Sequence, residues 1–370
     1  MKLIKSFKVV LGIAPLAILA FTTSRPATAA DLSYAINDLG TFGGNTSSAY
    51  GINNSGRVVG TAENTNGDSR AFLYNGALQD LGTLGGISSE AHGINASGQV
   101  VGGSDTSSGN HAFVYRNGAL QDLGTLGGSS SAAYGINASG QVVGGADIAS
   151  GDSRAFLYNG GVVQNLGTLG GSNSFAYGIN ASGQVVGSSD TNGGNSHAFI
   201  YNGGAMKDLG TLGGRNSEAY SINNSGQVVG FSDTSRSDSH AFIYNGGALQ
   251  DLGTLGGTTS FAYSINNSGQ VVGTSDIGKN TGIGGDHAFF YSDGSLTDLN
   301  SLIPTNSGWT LNTATAINDG GEIVGSGLLN GQNHAFDLIP VPEPSDKLNI
   351  LAFGAFLGAG LALKRKRKPN

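Results

Sequence analysis

The chain has 370 residues, no cysteine, 64 glycines and a formal net charge of −7. Without cysteine there is no disulfide framework and no thiolate metal site, so stability must come from packing. Between residues 31 and 341, eight Lys/Arg stand against twenty-three Asp/Glu, and this −15 balance repels nucleic-acid phosphates and anionic lipid.

The first predicted element is an address. Lys2, Lys5 and Lys8 form a basic start, residues 9–21 are apolar, and small residues precede Asp31. That order is a secretory signal peptide over residues 1–30, removed by signal peptidase after Ala29 or Ala30. Its apolar core is too short for a permanent anchor helix.

From residue 31 to 340 one block of about 43 residues is written seven times. Its landmark is the Phe of a His/Arg-Ala-Phe triplet, at Phe72, Phe113, Phe156, Phe199, Phe242, Phe289 and Phe336. Each unit divides into four short runs rich in Val, Ile, Phe and Tyr, which predict strands. In the second unit these are A (residues 90–95), B (99–104), C (111–115) and D (119–124). An Asn-x-Ser-Gly turn joins A to B, where only Gly enters positive φ without penalty, and Asn-Gly joins C to D. Six of the A–B turns also match a glycosylation sequon, a pattern that turn chemistry explains.

Seven units of four antiparallel strands predict an all-β fold, a seven-bladed β-propeller; a β-solenoid is the alternative. The order of runs favours closure. The chain enters with a lone D run (residues 34–40) and leaves after A, B and C, so the N-terminal strand can complete the last blade and seal the ring.

The last elements follow Pro342, Glu343 and Pro344. Residues 341–347 form a linker, 348–363 an apolar run predicted as a transmembrane helix, and 364–370 a basic cytoplasmic tail. The order Pro-Glu-Pro, apolar run, basic cluster resembles the PEP-CTERM sorting signal of exported bacterial proteins, with Asn349 interrupting the run as a mild departure. The resemblance implies recognition by an exosortase and removal of the tail. The triplet HAF with DLGTLGG and INxSGxVVG, over residues 38–338, resembles the HAF-repeat family of probable extracellular bacterial proteins. Arg70 and Arg154 replace the His in two copies, and the resemblance brings no chemistry to single residues.

Three candidate chemistries follow. The basic ring of Arg70, His111, Arg154, His197, His240, His287 and His334 is spread over seven blades, too wide to converge on one metal ion. Each member shares a hairpin end with the acid or amide of DLG (Asp80, Asp122, Asn165), which predicts a repeated hydrogen bond within the blade. The B–C loops open with Asp105, Asp190, Asp233 and Asp276, and the longest closes at Asp286. Asp276 and Asp286 are oxygen ligands suited to calcium, and the nearby GIGGD is similar to calcium-binding nonapeptides. Catalytic motifs are missing, and the GTLGG segments read as connectors between blades with no following helix.

Symmetry breaks in two places, the long B–C loop of blade six and the D–A connection of residues 300–311 holding the only tryptophan, Trp309. In an A–B–C–D meander the B–C and D–A loops share one end, which puts both on one face at adjacent blades. Trp309, Asp276 and Asp286 are therefore the candidate contacts for an extracellular glycan or protein. The functional expectation is a non-enzymatic binding or scaffolding module of the bacterial surface or matrix. The alternatives are a secreted propeller enzyme acting on polysaccharide, or a ligand-free structural protein.

Overall fold

The computed structural model describes residues 32–278 and 285–341. The signal peptide, the tip of the long B–C loop, and the Pro342-Glu343-Pro344 motif with its apolar run and basic tail lie outside the described residues. Among the described residues no helix is long and apolar enough to cross a membrane.

Among those residues the strands form seven four-stranded antiparallel sheets, which are the blades of a β-propeller. Blade 3 is representative: A is Gly127–Ile136, B is Val142–Ile148, C is Ser153–Asn159 and D is Val162–Asn165. The solenoid alternative is excluded by the closure. The N-terminal strand Tyr34–Asp38 pairs antiparallel with Gln332–Pro340, from Tyr34 opposite Pro340 to Asp38 opposite Phe336. Blade 7 thus takes its D strand from the start of the chain.

Blades bury their faces against one another. One apolar cluster joins Val101, Ala112 and Val114 of blade 2 to Ala133, Val142 and Phe156 of blade 3, and the next joins Val143 and Ala155 to Ala176, Val185 and Phe199. The seven landmark Phe residues are each at most 1% exposed. Burying one such side chain stabilises by about 2–3 kcal/mol. The Gly of each Val-Val-Gly makes room for that ring: a Cβ on Gly144 would clash with Ala132, Ala133 and Phe156.

Two local features go beyond the sequence reading. The second Gly of GTLGG is not only a connector. In blades 1, 3, 4 and 5 both closing glycines begin strand A, which is ten residues long in each. A Cβ on Gly128 or Gly171 would collide with Asp147 or Asp190 at the end of strand B, so glycine there lets the connector lie against that strand. Second, every strand A carries a β-bulge three residues before its turn Asn. In blade 3 the register shifts between Ala133 and Gly135, leaving Tyr134 unpaired.

Candidate functional site

Strand A of every blade faces the central channel, and its bulge aims one side chain there. The bulged residues are Tyr50, His92, Tyr134, Tyr177, Tyr220, Tyr263 and Thr315. Six of them form a belt of neighbouring rings, with successive centroids 5.3–5.6 Å apart from Tyr50 to Tyr263. Thr315 interrupts the belt at blade 7 and donates to the Ala49 carbonyl instead. A channel cavity of about 230 Å3 is lined by Tyr50, Tyr177, Tyr220 and Tyr263 together with the Gly/Ser and Ile positions that follow them.

On the side of the A–B turns lies a cavity of about 270 Å3 walled by the turn asparagines. Each of these donates from Nδ2 to the backbone carbonyl of its counterpart in the next blade, Asn53 to Asn95 and onward to Asn318 and back to Asn53, at 3.0–3.2 Å. Their Oδ1 atoms accept two N–H groups of their own turn, as Asn95 does from Ser97 and Gln99. The sequon asparagines are thus buried members of a closed hydrogen-bond ring, and the turn needs them for that reason.

The other mouth, where the B–C and D–A segments meet, is where the blades differ. Two residues before the belt, strand A carries Ser48, Glu90, Ala132, Phe175, Glu218, Phe261 and Thr313 in turn. Opposite Glu218 on strand B stands Phe231, where blades 2 and 3 have Gly103 and Gly145. Blades 4 to 6 therefore gather an aromatic wall: Phe231 lies 5.0 Å from Phe261 and 6.0 Å from Tyr220, and Phe175 stacks on Tyr177 at 6.4 Å. Phe175 also covers Gly145 and, with Ala132 and Tyr134, lines a crevice of about 210 Å3 between blades 3 and 4.

The electrostatics of this mouth are negative. Burial first, and then the Glu90 carboxylate, push the Tyr50 and Tyr134 hydroxyls above the usual tyrosine range. Burial and then Glu218 do the same for Tyr177 and Tyr220, and burial and then Asp286 for Tyr263. Burial also raises the Glu218 carboxyl, offset in part by the Tyr220 hydroxyl. His92 is pushed down to about 4 by burial, so the belt carries no positive charge at neutral pH.

The residues singled out from sequence have the following places. The basic ring makes the expected clasp in every blade but the third: His111, His197, His240 and His287 meet Asp122, Asp208, Asp251 and Asp298 at 2.6–2.8 Å, and His334 meets Asp38 across the closing strand at 2.9 Å. Arg70 pairs with Asp80 at 3.3 Å. In blade 3 the partner position is Asn165, and Arg154 turns to Asp152 and the Ser172 carbonyl.

Asp276 and Asp286 are directly opposite each other on strands B and C of blade 6. The Asp276 carboxylate accepts from the Gly278 N–H at 2.8 Å and the Thr258 N–H at 3.2 Å, which hold it below the usual carboxylate range. Its counterparts Asp105, Asp190 and Asp233 accept from Ser88, Asn173 and Asn216 in the same way, so this acid fastens the D–A connector to strand B. Among the described residues no three His, Cys, Asp or Glu side chains gather to hold a metal ion.

Asp286 is exposed and its carbonyl accepts from Asn312 Nδ2 at 3.0 Å, joining blades 6 and 7. Trp309 begins strand A of blade 7 on the same face, half-buried, with its ring packed edge-on against Phe336 at 6.1 Å. A groove of about 540 Å3 lies on the opposite face between blades 4 and 5, lined by Lys207, Gln227 and Tyr244. There Lys207 donates to the Tyr244 hydroxyl, as Gln79 does to Tyr115 and Gln164 to Tyr201, so this contact belongs to the repeat.

The belt and the aromatic wall were missed in sequence. The signal was present as the Tyr or His three residues before six of the seven turn asparagines.

A sequence family described as a protein of unknown function (DUF3466) matches residues 253–339. No curated protein matches the chain. Among solved structures it is similar to TolB from Acinetobacter baumannii (13% identity, TM-score 0.47), with 78% of this chain and 64% of TolB covered. The chain thus spans just under two thirds of the length of TolB. It is also similar to the WD40 β-propeller domain of Doa1 (14% identity, TM-score 0.48, 84% and 98% covered). A third likeness is to the β-propeller domain of the Trilobed protease from Pyrococcus furiosus (11% identity, TM-score 0.47, 67% and 79% covered).

Proposed function

We propose that this chain is an exported binding module of the bacterial surface or matrix, and that it takes its ligand at the channel mouth formed by the B–C and D–A segments. One observation carries the reading: in a ring whose blades are otherwise near copies, the positions around that mouth vary, and blades 4 to 6 use them for Phe175, Glu218, Phe231 and Phe261. The fold does not need these rings. Blades 1 to 3 fill the same places with Ser48, Glu90 and Ala132 on strand A, and with Thr61, Gly103 and Gly145 on strand B. Half-exposed aromatic rings clustered around a concavity are what a binding site uses to hold an extended or cyclic ligand.

Export rests on the basic and apolar N-terminal segment and on Pro342, Glu343 and Pro344 with the run behind them, handled by signal peptidase and an exosortase. Fractionation of cells carrying the whole chain tests it: surface or medium location is expected, and retention in the cytoplasm would overturn it. For the site, the unit spanning residues 31–341 is screened on glycan and peptide arrays beside Phe231→Ser and Phe261→Ser. These substitutions copy residues that other blades carry at the same positions, so folding is preserved. Loss of the bound signal in both variants is expected. Retained binding in both, with loss in Trp309→Ala, would move the site to Trp309, Asp276 and Asp286. Turnover of a bound glycan would favour the enzyme reading.

A further inference from the structure

The proposal here rests on the mouth as the binding site and concerns what that site recognises. We infer that this mouth selects a small ligand bearing a primary alkylammonium group, held by the Glu218 carboxylate and the rings of Tyr220, Phe231 and Phe261.

Glu90 stands on blade 2 and Glu218 on blade 5, so carboxylates flank the opening from two sides, with Asp286 of blade 6 beside Tyr263. No Lys or Arg lines either channel cavity. Among the described residues neither Glu90 nor Glu218 forms an ion pair with a Lys or Arg; Glu90 has only His92 at 3.8 Å, which is neutral at pH 7. A carboxylate withdrawn from water without a counter-charge is costly, and a ligand that brings the counter-charge recovers that cost on binding.

Glu218 is the better placed of the two. Glu90 is exposed, whereas Glu218 is half-buried beside Tyr220 and opposite Phe231, and Phe231 contacts Phe261. An aromatic face is the negative end of a ring quadrupole, so aromatic rings gathered next to a carboxylate favour a cation over an anion. The burial that raises the Glu218 carboxyl marks the same unmet charge. An ammonium on a slender alkyl stem fits the geometry, since its stem can lie along Phe231 and Phe261 while the head reaches the carboxylate. A neutral sugar would use the same rings and leave Glu218 without a counter-ion, so the carboxylate is what favours the cation.

The test is calorimetric titration of the unit spanning residues 31–341 with cadaverine, and with 1,5-pentanediol as its uncharged counterpart. Glu218→Ala, which reproduces Ala132 of blade 3, and Phe231→Ser are titrated alongside. The expected result is cadaverine binding that weakens by about tenfold or more in each variant and falls with added salt, with no binding of the diol. General attraction to an acidic protein would change by less than about twofold when one charge is removed. Cadaverine affinity unchanged in Glu218→Ala overturns the inference, and so does an absence of cadaverine binding. A neutral saccharide that binds and is lost in Phe231→Ser overturns the ammonium and leaves the mouth in place. A ligand indifferent to both variants overturns the mouth as well.

Discussion

Seven asparagines do the most work per residue in this ring. Each turn Asn satisfies two N–H groups of its own turn and one carbonyl of the next blade, as Asn180 does for Ser182, Gln184 and Asn223. Asn180→Ala leaves these buried groups without partners, and a loss of about 2–4 kcal/mol in chemical denaturation is expected. Asp337 is the opposite case. Blades 1 to 6 place an apolar residue after the landmark Phe, such as Leu73 or Phe290, but blade 7 places Asp337, only 8% exposed and with Oδ1 unpaired. Burial, and then the Glu322 carboxylate, push its carboxyl up to about 6. A carboxyl whose folded value is raised binds its proton more tightly when folded. Its penalty is therefore absent below about pH 4, grows between pH 4 and 6, and is complete above pH 6. Asp337→Leu should raise stability by roughly 1–2 kcal/mol at pH 7.5, after discounting for solvent screening, and by much less at pH 4. Thermal melts at the two pH values measure it; an equal gain at both would place the effect in packing and not in charge.

At the scale of the strand, blade 7 is completed by Tyr34–Asp38 without a covalent link, and contacts such as Asn318 to Asn53 and Thr315 to Ala49 join it to blade 1. Deleting residues 32–40 removes Tyr34 and Leu39 from two apolar clusters and leaves the outer edge of Gln332–Pro340 unpaired. The expected outcome is a fall in melting temperature and self-association by light scattering, because an open edge invites another strand. This closure was legible in sequence, since a lone D run at one end and a missing D run at the other admit few other arrangements. The His–Asp clasp was legible too, because both residues share one hairpin end. The aromatic belt was not. Strict alternation through Ala133, Tyr134 and Gly135 gives no reason to turn Tyr134 into the channel, and a bulge of one residue resets that alternation. The bulge is fixed by packing against the neighbouring blade: a Cβ on Gly135 would press on the Tyr177 carbonyl of blade 4. The backbone contacts of the recurring acid at the end of strand B were not legible for a related reason, since its partners are N–H groups that no residue type reveals.

At the scale of the molecule, repetition builds a closed ring and its lapses mark the proposed site. Both blade faces are buried, both inner rings are closed or nearly so, and the differences between blades collect at one mouth. Trp309, Asp276 and Asp286 lie on that same face, so the two candidate locations are neighbours and one experiment separates them. Hydrogen exchange of the unit spanning residues 31–341, with and without a ligand recovered from the arrays, is that experiment. The account predicts slowed exchange in strand A of blades 4 to 6, around Phe175, Glu218 and Phe261, and no slowing there in Phe231→Ser. Protection confined to residues 285–290 and 309–313, unchanged in Phe231→Ser, would contradict it.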